Sequence, residues 1–125
     1  MGGCTVQQEI WTPMAELNLS DPEDVGKLYK SVIDANGWES QADAIIEEAS
    51  ELIHAICKHK RKAARGRFSG RALDAVIEEI VDAQIALDQA KLIYVGQSPQ
   101  AERVYHEVRR RKLAKLAAKS GIAAG

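Results

Sequence analysis

Residues 71–95 carry apolar side chains on two separate helical faces, and no other stretch limits the fold as tightly. One stripe runs through Leu73, Val76, Ile80, Ala83 and Leu87, the other through Ile77, Val81, Ile85 and Leu92. Recurrence at three and four residues is the period of an α-helix, not of a strand. A helix that is apolar on two sides is a helix buried on two sides. The chain therefore needs covering elements for both faces, and the rest of the sequence offers only helices to supply them.

Ser20-Asp21-Pro22-Glu23 reads as a helix start, with a capping side chain, proline in the first turn and acids at the positive end of the dipole. That first helix runs to about Asn36, where Asn36-Gly37 ends it. Trp38-Glu39-Ser40 re-enters helix, with Ser40 as N-cap of a second helix over about 41–62. Its apolar stripe is Ile45, Ala49, Leu52, Ile53 and Ile56, with Ile46 and Cys57 off the stripe. Basic, glycine-containing residues 63–70 read as a loop before the two-faced helix. Gly96-Gln97-Ser98-Pro99 breaks the chain again. A fourth helix over about 99–119 directs Val104, Val108, Leu113 and Leu116 inward and Arg109, Arg110, Arg111, Lys112, Lys115 and Lys119 outward. There is no hairpin signal and no internal repeat. The expected fold is all-α, a four- to five-helix bundle.

A chain of 125 residues has room for one core. The expected layout is an N-terminal arm over 1–20, where Gly, Pro and polar residues follow no period, one domain over 21–119, and a short tail over 120–125. The net charge of −1 argues against a surface built throughout to grip nucleic acid or an anionic membrane. Charge is instead segregated: residues 58–71 hold seven Lys and Arg and no acid, and residues 72–90 hold five acids and no Lys or Arg. Two cysteines, Cys4 and Cys57, make neither a disulfide framework nor a cysteine-rich zinc site, which points to a reducing compartment. Met1-Gly2-Gly3-Cys4-Thr5-Val6 lacks the Ser or Thr of a myristoylation signal, and no apolar stretch reaches the length of a membrane span. A cytoplasmic protein is expected.

Four acids stand out. Residues three apart share a helix face, so Glu48 sits beside Glu51, and Glu79 beside Asp82. The bland reading is two solvated acid pairs. Yet AIIEEASELIHAIC and AVIEEIVDAQIAL contain no Lys or Arg to neutralise them, and exposed helices usually mix both signs. Like-charged carboxylates beside an apolar core cost desolvation and mutual repulsion unless a cation compensates. A hard divalent cation such as Mg²⁺, with Mn²⁺ as a substitute, takes such oxygen ligands and keeps positions open for water and phosphate.

The pattern Glu48-x-x-Glu51, then 27 residues, then Glu79-x-x-Asp82 resembles that of the MazG-like nucleoside-triphosphate pyrophosphohydrolases, an all-α superfamily that includes the dimeric dUTPases and dCTPases. Trp38 and Gln41 upstream, IIEEASELIHAICKHKR and VIEEIVDAQIALDQAKLIY look like the short, phage-type members, over roughly residues 21–119. The resemblance implies cleavage of a nucleoside triphosphate between its α and β phosphates, with Glu48, Glu51, Glu79 and Asp82 as metal ligands. Together with the two apolar faces it also implies a homodimer, or a tetramer of paired dimers. Glu47 and Glu78 point about 100° away from the ligands that follow them and are either supporting or solvated.

A triphosphate needs cations near the acids. Lys58, Lys60 and Arg61, with Arg65 beyond, are candidate phosphate contacts, as are Lys91, Lys112 and Lys115 from neighbouring helices; each is otherwise a solvated charge. Trp38 is the first candidate to stack on a base, ahead of Phe68 and Tyr94, and the alternative for each is packing. Glu51-x-x-His54 is half of a di-iron ligand set, but the second pair ends in Asp82, so His54 reads as an ordinary polar residue. The basic fourth helix alone would suit a non-catalytic oligomerisation or nucleic-acid-binding module, although no recognised motif or interleaved aromatics accompany it.

Overall fold

A computed structural model of the chain describes residues 16–124. The described residues are helical, with no strand among them, so the fold class is all-α. The helices are α1 (Pro22–Asn36), α2 (Trp38–Ala64), α3 (Gly70–Ala90) and α4 (Pro99–Lys119), with a π-helical segment, Lys91–Val95, continuing α3. Cys4 and the first fifteen residues of the expected arm lie outside the described residues, as does Gly125. The remainder of the arm is a capping turn. Asn18 N–H donates to Asp24 Oδ2 (2.8 Å), Ser20 N–H to Asn18 Oδ1 (3.0 Å), and the Asp21 side chain caps α1 by accepting from Glu23 N–H (3.0 Å).

The second helix starts earlier than its sequence suggests. Gly37 takes φ 84°, a conformation that costs glycine little, and turns the chain from α1 directly into Trp38. Ser40 is thus inside the first turn and is not the N-cap. At the other end α2 runs on to Ala64, because Ala63 and Ala64 are strong helix formers. The expected 63–70 loop shrinks to residues 65–69, and Ser69 Oγ caps α3 by accepting from Ala72 N–H (3.1 Å).

α2 and α3 pack as an antiparallel hairpin: Gln41 near the start of α2 donates through Nε2 to Gln89 Oε1 near the end of α3 (2.7 Å), and Glu51 meets Glu79 midway. The seam between them is lined by small and polar residues. Ala44, Gln41 and Glu48 face Ala86 and Gln89, and Ala55 faces the Ala72 and Ala75 side of α3. Ala83, Ala86, Ile93 and Gln41 are the buried residues among those described. α1 packs across α2, α3 and the π segment, with Tyr29 close to Asp88.

The large aliphatics mostly face out. Ile46, Ile53 (64 % exposed) and Ile56 on α2 remain exposed, as do Leu73, Ile77 (50 %), Ile80, Val81, Ile85, Leu87 and Leu92 on α3 and the π segment. Of the two stripes expected to be covered, only Val76 and Ala83 turn inward; no element among the described residues covers the others.

Two further expectations change. The helix expected to continue to 95 leaves α-register at Lys91, and Gly96 N–H closes the π segment on Lys91 O (2.9 Å). A Cβ at Gly96 would stand 2.9 Å from Leu92 O, so this close approach requires glycine. Val104, Leu113 and Leu116, expected inward, are exposed, because α4 packs on the π segment and not along the hairpin. Lys91 Nζ, 4.7 Å from the Tyr105 ring centroid, helps to hold that junction.

Candidate metal centre

The acid cluster forms where the hairpin seam crosses its midpoint. Glu48 and Glu51 lie one turn apart on α2, and Glu79 faces them from α3; one carboxylate oxygen of each lies within 4.8 Å of the others. Asp82, one turn beyond Glu79, stands close enough for its charge to act on both Glu48 and Glu79. The i, i+3 spacing on each helix and the antiparallel pairing together bring four acids from two segments to one place.

The electrostatics of the cluster are unfavourable as it stands. Desolvation, followed by the charges of Glu51, Asp82, Glu79 and Glu47, pushes Glu48 above the usual carboxylate range. Desolvation, followed by the charges of Glu51, Asp82 and Glu78, pushes Glu79 the same way. Oε2 of Glu48 and Oε2 of Glu79 are enclosed and have no hydrogen-bond partner. The ion pairs among the described residues are Lys27–Asp24 and Lys30–Asp34 on α1, so no Lys or Arg among them is paired with the cluster. Three converging carboxylates, two of them with an orphaned oxygen, could hold a metal ion.

Two cavities meet at the acids. The larger, about 670 Å³, runs from Glu51 and Glu79 towards the α2–α3 turn, past His54, Lys58, His59, Lys62 and Arg71. The smaller, about 160 Å³, runs the other way from Glu48 and Asp82 to Gln41 and Gln89, between Ala44, Ile45, Ile85 and Ala86. Gln41 is 8 % exposed and accepts from Asn36 Nδ2 (3.1 Å) while donating to Gln89, so its amide is held firmly at the end of that cavity.

The other candidate contacts are distributed unevenly. Lys58 lines the larger cavity; Lys60 and Arg61, on the same helix, are exposed and do not line it. Trp38 lines a separate cavity with Ile93, Tyr94 and Gln97. Lys91 is engaged with Tyr105, and Lys112 is exposed on α4. The chain by itself brings none of Trp38, Lys60, Arg61, Lys91 or Lys112 to the acids. His54, read from the sequence as an ordinary polar residue, lines the cavity beside Glu51. Phe68, a stacking candidate, packs edge-on against the His59 ring (5.0 Å between centroids).

His59, Lys62 and Arg71 were not singled out by sequence reasoning. The available signal was register: Glu48, Leu52, Ala55, His59 and Lys62 recur at three and four residues, the inner face of one helix. Composition masked it, since residues 58–71 look like a basic loop although the helix persists through Ala64.

Comparison of the chain with protein-family models, with curated proteins and with solved structures gives no match in any of the three.

Proposed function

We propose that this chain is a Mg²⁺-dependent nucleoside triphosphate pyrophosphohydrolase, cleaving a (deoxy)nucleoside triphosphate between the α and β phosphates to the monophosphate and pyrophosphate, in a cytoplasmic nucleotide-pool-cleaning role. The observation that carries the reading is the convergence of Glu48, Glu51 and Glu79, with Asp82 beside them, at the mouth of a cleft whose other wall is cationic. The motif spacing, which resembles that of the MazG-like enzymes, supports the same conclusion.

Glu48, Glu51, Glu79 and Asp82 would hold the cation. When bound, Mg²⁺ or Mn²⁺ supplies charge neutralisation for the phosphates and polarisation of the attacked phosphorus. The chain's own residues do the positioning. The four carboxylates would fix where the α phosphate sits, and any acid left uncoordinated can accept a proton from water. Lys58 stands on the cationic wall as a phosphate contact, and the Gln41–Gln89 amide pair offers donors and acceptors to the nucleoside end. The outward aliphatics of α2 and α3 support assembly into a homodimer or a tetramer of paired dimers, through which Trp38, Lys60, Arg61, Lys91 or Lys112 of another copy would complete the site.

The test is a panel of ribo- and deoxynucleoside triphosphates with Mg²⁺, assayed separately for pyrophosphate and orthophosphate. Pyrophosphate release is expected; orthophosphate as the sole product would remove the α,β-cleavage claim. Glu48→Gln and Glu79→Gln are each expected to abolish turnover with helical content unchanged by circular dichroism. A second reading, a non-catalytic oligomerisation or nucleic-acid-binding module, draws on α4, which stands off the hairpin with Arg109, Arg110, Arg111, Lys112, Lys115 and Lys119 on its last turns. It predicts no nucleotide turnover and salt-sensitive binding to RNA or DNA.

A further inference from the structure

We infer that the arm of the larger cavity beyond Lys58, formed by His59, Lys62 and Arg71, is a specific seat for the phosphates on the far side of the cleaved bond, so that the site selects for phosphate chain length. The inference rests on the proposed reaction for its biological meaning, but the anion seat itself stands on geometry.

Three observations carry it. First, the cavity has a direction. Glu51 and Glu79 occupy one end, and Lys58, His59, Lys62 and Arg71 line the remainder as far as Ser69. Second, Lys58, Lys62 and Arg71 have no carboxylate partners among the described residues, where the ion pairs are both on α1, and His59 Nε2 is enclosed without a hydrogen-bond partner. A cluster of cations facing one cavity repels itself until an anion enters, as the acids repel one another until a cation does. Third, the side chains lean the right way. Helical side chains tilt towards the helix N-terminus, so Lys58 and Lys62 slant back along α2 towards Glu51, while Arg71 closes the far wall from α3. By helical rise, Lys58 stands about 10 Å and Lys62 about 16 Å along the axis from Glu51. Both lysines line the cavity along the stretch that a polyphosphate tail would occupy from the acids outward.

A monophosphate bound at the acids would leave this arm unused. A triphosphate would fill it, and the pyrophosphate product would remain in it after cleavage. The arm therefore favours triphosphates over monophosphates and makes pyrophosphate a product inhibitor.

Isothermal titration of the full chain with inorganic tripolyphosphate, in metal-free buffer, tests the seat without requiring turnover. Lys62→Ala/Arg71→Ala is compared with Lys27→Ala/Lys30→Ala, which removes the same charge from exposed residues of α1 that line no part of the cavity. The first pair should weaken tripolyphosphate binding by at least about tenfold, as expected for loss of charge-assisted hydrogen bonds, and the second by less than about twofold. His59→Gln should weaken it as well, with the circular dichroism spectrum unchanged. Equal losses in the two double variants would reduce the effect to bulk charge and overturn the proposal, as would absence of tripolyphosphate binding. Selective binding without nucleotide hydrolysis would leave the seat standing and remove the pyrophosphohydrolase reading; hydrolysis with a KM indifferent to Lys62 and Arg71 would do the reverse.

Discussion

At the residue scale, the carboxylates of the seam oppose the fold that assembles them. Glu48 and Glu79 have pKa values raised above those of an unfolded chain, so the native state binds their protons more tightly than the unfolded state does. The sign follows from linkage: their penalty is absent below the ordinary carboxylate pKa, grows as pH rises, and is complete above the raised folded value. Glu48→Gln is therefore expected to raise the melting temperature of the metal-free protein at neutral pH, and to lose that advantage as pH is lowered through the carboxylate range. Melting curves from pH 4 to 8 in EDTA, taken as the difference between variant and parent, measure it; a variant less stable than the parent at pH 7 would contradict the account. With Mg²⁺ present the order should invert, because ligand binding stabilises the native parent by mass action and the variant binds weakly. The acids were legible in the sequence because i, i+3 spacing and the missing local cations are one-dimensional facts. His59 and Arg71 were not, since their proximity to the acids depends on where α2 ends and on how α3 returns beside it.

At the element scale, the hairpin is set by its smallest side chains. Ala44, Ala55, Ala72 and Ala86 line the seam cavities where larger residues would hold α2 and α3 apart, and this close approach fixes the reach between Glu48 and Glu51 on one helix and Glu79 on the other. Ala86→Leu would overfill a buried position, at a typical cost of about 1–3 kcal/mol. It should also weaken Mg²⁺ affinity although no ligand is touched; isothermal titration with Mg²⁺ would detect this, and an unchanged affinity would show that the seam does not gauge the site. Helix existence was readable from apolar period and from the breakers at Gly37, Gly66 and Gly96. Element ends were read less well. Gly37 delivers the chain into helix at Trp38 without a side-chain cap, and the change to π-register at Lys91 depends on a backbone bond to Gly96 that no residue pattern announces.

At the scale of the whole molecule, two apolar stripes on one helix read as a demand for cover, and among the described residues most of those side chains are exposed. Ile46, Ile53, Ile77, Ile80 and Val81 form apolar surface on the same elements that build the site. A second copy is the proposed cover. The expected outcome is a melting temperature that falls on dilution, since stability then includes association, together with a sedimentation coefficient above that of a 125-residue monomer. Ile80→Lys should shift the sedimentation profile towards monomer, whereas an unchanged, concentration-independent profile would refute self-association through this face. The outward aliphatics also bear on the fate of a newly made chain. Under that proposal an unassembled copy presents, in its native conformation, the kind of surface that other proteins expose only when misfolded, and chaperones and proteases act on such surface. Copies that fail to assemble would be cleared, and surveillance of the unassembled chain would thereby set how much of the protein a cell retains.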